Sequence, residues 1–188
     1  MGENRHVIAP ASAPSATRDE CAEYHAPPHR VDNIRFRAIR PDDWHRLQLF
    51  HDRLTATSVQ LRFHGAKRHL SEPLAHRLTQ VDGHDTVAVV ATTGTRGRIV
   101  GVARYFRLDR GTAEVAFVVE DAYQGQGIGR RLMQKLVGEA RRNGISEFVA
   151  DVLPSNTRML RLLEESGPIR VRNVDGVDEV RVDLPAAP

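Results

Sequence analysis

From Ile34 to Ile39 the chain alternates apolar and basic residues, IRFRAI, the period of two that marks a half-buried strand. Pro41 follows where the first turn of a helix tolerates proline, and a helix to about Leu54 is expected. A second short helix is expected from Thr57 or Ser58 in TSVQLRF. A third follows Ser71, where SEPLAHRL offers a capping hydroxyl with Pro73 in the first turn. Then come three β-branched runs, DTVAVVAT from Asp85, IVGVARYFRL from Ile99 and TAEVAFVV from Thr112. The links between them, TGTRGR and DRG, are short and turn-rich, so the three runs read as an antiparallel meander.

The clearest helix of the chain comes next. Ile128, Leu132, Leu136 and Ala140, joined by Met133 and Val137, form one apolar stripe, and Asn143-Gly144 supplies a stop. EFVADV, from Glu147 to Val152, is a further strand, and Asn156 to Ser166 a helix ended by Gly167-Pro168. Two last strands flank Asp175-Gly176 as a hairpin. Residues 1–31 have no sustained period and are rich in Ala, Pro, Ser and His, the composition of a disordered N-terminal tail, which leaves residues 32–188 as one folded domain.

Between the third strand of the meander and the striped helix lies QGQGIG, Gln124 to Gly129. A strand that enters a helix through glycines leaves the first backbone N–H groups of the helix unpaired at its positive end, a place that binds phosphate. Arg130 and Arg131 add charge beside it. The P-loop pattern needs Gly-Lys-Ser/Thr, which is absent, and the dinucleotide fingerprint G-x-G-x-x-G differs from the G-x-G-x-G found here. The glycines also follow a hairpin strand late in the chain, whereas a dinucleotide fold places them after its first strand. From the residues alone a plain helix-capping turn is the other reading.

Gln124-Gly125-Gln126-Gly127-Ile128-Gly129 resembles the Q/R-x-x-G-x-G/A signature of the GNAT superfamily of acyl-CoA-dependent N-acetyltransferases, and the order of elements over roughly Ile34 to Leu184 is similar too. The resemblance implies an α/β (α+β) fold: a mixed, mostly antiparallel sheet of about six or seven strands flanked by helices, with a splayed strand pair at the cofactor groove. It implies acetyl-CoA as acyl donor, its pyrophosphate on Gln124, Gly125, Gln126, Gly127, Ile128, Gly129 and Arg130, and its pantetheine arm along Phe117, Val118 and Val119. VLPSNTRMLRLLEESG resembles the second conserved block of that family, which adds Asn156 and Met159 to the cofactor site. Pro168 stands where the family usually has an aromatic residue. The stretch from Ser58 to Ala91 is also similar to bacterial protein lysine acetyltransferases that modify acyl-CoA synthetases, which implies a protein partner with an accessible lysine.

Strand parity places Glu114, Ala116 and Val118 on one face, so Glu114 is a carboxylate in a largely apolar strand. Two readings of it are open from the residues: a partner for Arg104 or Arg107 across the hairpin, or a group whose pKa burial raises into the range of a general base. The resemblance implies the second, because a glutamate on this strand is the base of lysine acetyltransferases. Many members donate a proton to the departing thiolate from a tyrosine after Asn156, but the tyrosines here are Tyr24, Tyr105 and Tyr123.

Composition narrows the alternatives. Of 27 basic residues only Lys67 and Lys135 are lysine, the net charge is +3, and aromatics make up 5%, which argues against nucleic acid. Nine histidines show no metal-ligand spacing, and Cys21 stands alone, so neither a metal nor a disulfide framework is expected. No apolar run reaches the ~18 residues of a membrane span, and the start lacks a signal-peptide pattern, so a cytoplasmic location is expected. Two further readings remain: acetylation of a small amine, and a catalytically silent module that senses acyl-CoA.

Overall fold

The computed structural model describes residues 33–63 and 69–185, so the expected tail lies outside the described residues. Seven strands form one sheet: β1 (Arg35–Ala38), β2 (Thr86–Thr93), β3 (Arg98–Arg107), β4 (Thr112–Val119), β5 (Glu147–Val152), β6 (Ile169–Val174) and β7 (Val177–Asp183). Five helices accompany them: α1 (Trp44–Asp52), α2 (Ala56–Phe63), α3 (Glu72–Thr79), α4 (Ile128–Arg142) and α5 (Thr157–Glu164). The strand order is β1-β2-β3-β4-β5-β7-β6, antiparallel at every pair except β4 with β5. That exception follows from α4: a helix between two strands returns the second one in the same direction as the first.

Two apolar layers sandwich the sheet. The stripe of α4 (Ile128, Leu132, Met133, Leu136 and Ala140) is buried with Val100, Tyr105, Val115 and Phe148 on one face. Leu47 and Phe50 of α1 and Leu54 just beyond it, with Val59 of α2 and Ala75 of α3, are buried against Ala88, Val90, Ile99 and Val102 on the other. The expected elements are therefore all present, within a few residues of their expected ends. Ser71 stands at the N-cap of α3 in extended backbone, as expected, but its hydroxyl makes no cap bond. Tyr105 spends its hydroxyl on structure, donating to His84 O at 3.0 Å and accepting from Asn143 Nδ2 at 2.7 Å.

One buried carboxylate fixes the N-terminal end of α1. Asp43 is fully buried, takes Arg37 through both oxygens at 2.5 and 2.8 Å, and accepts the Arg40 N–H at 2.9 Å. Burial works to raise its pKa, but the Arg37 and Arg40 hydrogen bonds and the charges of Arg37 and Arg46 outweigh it, and the net shift is downward. A depressed native pKa means that this carboxylate stabilises the fold fully above the ordinary Asp value of about 3.9, and that the contribution fades as pH falls through the native value. Asp43→Asn is expected to cost on the order of 2 kcal/mol at pH 7. The gap between variant and native protein in urea unfolding should narrow below about pH 4. A gap that stays constant into acid would contradict this account.

Candidate active site at the β4–β5 splay

β4 and β5 pair for three residues only, Thr112 with Glu147, Ala113 with Phe148 and Glu114 with Val149. Beyond Glu114 the two strands diverge, although β4 runs on to Val119 and β5 to Val152. On its other edge β4 stays paired to β3, and the bonds Leu108 N–H to Thr112 O and Glu120 N–H to Val100 O show which residues face that way. The alternation of an antiparallel ladder then turns the backbone groups of Val115 and Phe117, and the N–H of Val119, toward the gap. Val119 O is taken by Gln124 Nε2 at 3.0 Å. An extended chain laid in the gap would meet a strand edge ready to bond it.

At the end of β4 a 3₁₀ turn, Asp121–Tyr123, leads through Gln124 into the glycine turn. Gly125 and Gly127 have φ of +74° and +76°, backbone that side chains rarely adopt, and an added Cβ would meet nothing at either place. Their requirement is conformational. Gly129 differs: it lies in the first turn of α4, and an added Cβ would make only ordinary contact with Leu162 Cδ2 at 3.7 Å. The protein's own packing has no need of glycine there. The N-cap Gly127 provides no side-chain oxygen, and the first helical bond runs from Arg131 N–H to Gly127 O. The N–H groups of Ile128, Gly129 and Arg130 therefore point out of the positive end of a 15-residue helix, an arrangement that can hold an anion.

The surrounding side chains brace the turn. Gln124 Nε2 also donates to Ser58 Oγ on α2 at 3.2 Å, its Oε1 accepts from Arg158 on α5, and Ser58 Oγ donates to Asp121 Oδ1 at 2.9 Å. Gln126 Nε2 donates to Ala122 O at 3.0 Å. Arg130 makes a two-point bond to Glu165 at the C-cap of α5, 2.9 and 2.7 Å, which holds the Glu165 carboxyl below its ordinary range. Much of the charge expected from Arg130 at the turn is thus matched by Glu165. A groove of about 530 Å³ runs beside the turn between α4 and α5, with Arg130, Met133, Val137, Leu162 and Glu165 among its walls. Asn156 caps α5, its Oδ1 accepting the Met159 N–H at 3.2 Å, and Met159 is half-buried against the core. The expected cofactor residues thus share one neighbourhood: Phe117 to Arg130 on β4 and the start of α4, Asn156 and Met159 on α5 beside it.

Contrary to the burial expected of it, Glu114 is exposed, because it stands at the last paired position before the strands part. Neither cross-hairpin arginine bonds it. Arg107 holds Asp85 at 2.6 Å and the carbonyls of Arg110 and Asn143, while Arg104 donates to Leu78 O at 3.2 Å and lies over the Phe106 ring. Among the described residues, Arg62 on α2 is a cation whose charge couples to Glu114; burial pushes its pKa down and Glu114 opposes the shift. On the same face of the sheet, a cavity of about 80 Å³ is lined by α1, α2 and α3 residues together with Val102, Arg104 and Phe106 of β3 and Ala116 and Val118 of β4. Parity could have flagged Arg104, because Val102, Arg104 and Phe106 alternate toward the Glu114 side. Arg62 reaches the cavity from a separate helix that strand parity says nothing about. Among the described residues no group of three or more His, Cys, Asp or Glu is placed to hold a metal, and no helix is long and apolar enough to cross a membrane.

The sequence profile of the acetyltransferase (GNAT) family matches residues 43–167. The acetyltransferase Pat of Mycolicibacterium smegmatis is 33% identical over 151 residues, which cover 79% of this chain and 45% of that protein. This chain therefore spans less than half the length of that relative. The solved GNAT domain of S. lividans PAT superposes with a TM-score of 0.74 at 34% identity, covering 80% of this chain and 90% of that one. The fold also matches yncA of Salmonella typhimurium, solved with its cofactor acetyl-CoA, with a TM-score of 0.62 at 21% identity over 81% of this chain and 95% of that one.

Gly129→Glu tests the turn without straining the backbone. The variant is expected to keep the native melting temperature within a few degrees, while its affinity for coenzyme A falls at least a hundredfold, because a carboxylate then occupies the mouth of the helix end. Calorimetry that found native affinity would remove the turn from the cofactor site.

Proposed function

The chain belongs to the acetyltransferase (GNAT) family, whose donor is acetyl-CoA, and we propose that it transfers an acetyl group to the ε-amine of a protein lysine with Glu114 as general base. The observation that carries this reading is Glu114 itself: a carboxylate at the mouth of the splay, outside any ion pair with the two arginines across the hairpin. A lysine amine with a pKa of about 10.4 is almost wholly protonated at neutral pH and cannot attack a thioester until it loses a proton. Glu114 takes that proton directly or through one water. The nitrogen then bonds the carbonyl carbon, the carbon–sulfur bond breaks, and coenzyme A leaves as thiolate. The second nitrogen proton is lost as the intermediate collapses, and the thiolate draws a proton from solvent. No tyrosine on α5 offers one, and Tyr105 is bound between His84 and Asn143.

In this reading the donor lies in the splay, its pyrophosphate on Gln124 to Arg130 and its arm along Phe117 to Val119. The acceptor approaches from the side of α1 and α2. An acyl-CoA synthetase with an accessible lysine is the partner suggested by the likeness of Ser58 to Ala91 to bacterial protein lysine acetyltransferases, though residues 64–68 of that stretch lie outside the described residues. The similarity to proteins named Pat supports a protein substrate. A cytoplasmic location, where acyl-CoA and such synthetases meet, belongs to this reading.

Glu114→Gln keeps the size of the side chain and removes the proton acceptor. Coenzyme A is expected to bind as in the native protein, and turnover with a lysine acceptor to fall about a hundredfold at pH 7. Much of the loss should return near pH 10, where the amine deprotonates unaided. Native turnover by the variant at pH 7 would make Glu114 structural. A native protein that binds acetyl-CoA tightly and acetylates no amine would make the chain a sensor.

A further inference from the structure

The cavity on the Glu114 face has walls of Leu47, Phe50, Leu54, Val102, Ala116 and Val118, and among the described residues no acidic one lines it. Two cations do, Arg62 and Arg104. Arg104 is only 5% exposed, yet among the described residues its Nη1 is buried without a hydrogen-bond partner, and the one side-chain hydrogen bond it makes with them runs from Nη2 to Leu78 O. A buried guanidinium with unmade bonds is costly unless an acceptor reaches it. Burial and the charge of Arg62 lower its pKa to about 10, so it is still a cation at neutral pH. A carboxylate is the acceptor that such a planar fork matches best.

The register ties this cation to the reaction. Glu114 lies opposite Phe106, and Arg104 lies opposite Ala116, so Glu114 and Arg104 are diagonal neighbours on one face of the sheet. Such positions lie about 7–8 Å apart. That spacing is within reach of two long side chains, which can converge on one compact molecule. A lysine side chain entering from outside carries no carboxylate to that depth.

We propose that Arg104 is a carboxylate-binding residue of the acceptor cavity, and that the site therefore acetylates, besides a lysine side chain, small amines with a carboxylate close to the nitrogen, as in free α-amino acids. The proposal rests on the reading of Glu114 as the group that faces the amine. The bond changes are those of lysine transfer. The ammonium gives one proton through Glu114 to solvent, the nitrogen–carbonyl bond forms as the carbon–sulfur bond breaks, and the products are the N-acetyl amino acid, coenzyme A thiol and one released proton.

The test uses the full chain with acetyl-CoA and the pair L-leucine and L-leucinamide, which differ in the carboxylate. The amide has the less basic amine, so intrinsic reactivity at neutral pH favours it, and a preference for the acid reports binding. The expected kcat/KM for leucine is at least tenfold above that for leucinamide. Arg104→Met should bring the ratio near one, and Arg104→Lys, which keeps a cation in the core, should lower it less. General damage from either substitution cancels in the ratio, and the native ratio needs no variant at all. Equal use of acid and amide by the native protein overturns the proposal, as does an unchanged ratio in Arg104→Met. So does a third result, in which succinyl-CoA is the preferred donor with a carboxylate-free amine and loses that preference in Arg104→Met, because the carboxylate site would then serve the acyl group. Acetylation of a lysine peptide with leucine refused removes the Arg104 role and leaves the Glu114 reading standing. Native rates in Glu114→Gln with every amine remove the Glu114 reading, and the acid-to-amide ratio still judges Arg104.

Discussion

Backbone amides of a strand must be bonded somewhere, and β4 stops bonding β5 after three residues. That constraint organises the site. On one side β4 is locked to β3 along its whole length; on the other it presents an unmatched edge from Val115 onward. The same strand then delivers the chain to a helix whose first N–H groups are also unmatched. Two deficits of hydrogen-bond acceptors thus lie end to end along a single path, one suited to an amide-bearing arm and the other to a phosphate anion.

The path is held open by side chains anchored elsewhere. Glu120, buried just past β4, is bonded by Arg53 and Arg98, and Asp121 accepts from Thr55 and Ser58. Gln124 joins Val119, Ser58 and Arg158. These contacts connect α1, α2, β3 and α5 to one short turn, so the shape of the turn is set by the fold before any ligand arrives, which lowers the ordering cost of binding.

Much of this was legible in the sequence because it is local. The stripe of α4, the three runs of the meander and the hairpin at Asp175-Gly176 depend on periods of 3.6 and 2 and on turn residues. The glycine turn and the unpaired N–H groups at the start of α4 were legible for the same reason. What depended on distant partners was not. The two-point bond of Arg130 joins residues 35 positions apart, and no pattern near Arg130 announces Glu165. The idle hydroxyl of Ser71 is a similar case, since its residue type and backbone suit a cap that the helix does not use. Arg104 shows the limit most clearly: its strand and face follow from parity, but the want of a partner for its Nη1 among the described residues is a property of everything packed around it.

β4 serves three neighbours at once. Its odd side chains, Ala113 and Val115 among them, belong to the layer under α4; its even side chains, Ala116 and Val118, line the cavity; and its odd backbone groups face the gap. Mutational tolerance along this strand should therefore alternate with a period of two. A change at an odd position disturbs the core on which the whole sheet rests, whereas a change at 116 or 118 reshapes the cavity wall and leaves the backbone edge as it was. Descendants of this chain can in this way vary the cavity wall while the open backbone edge and the stability of the sheet are inherited unaltered.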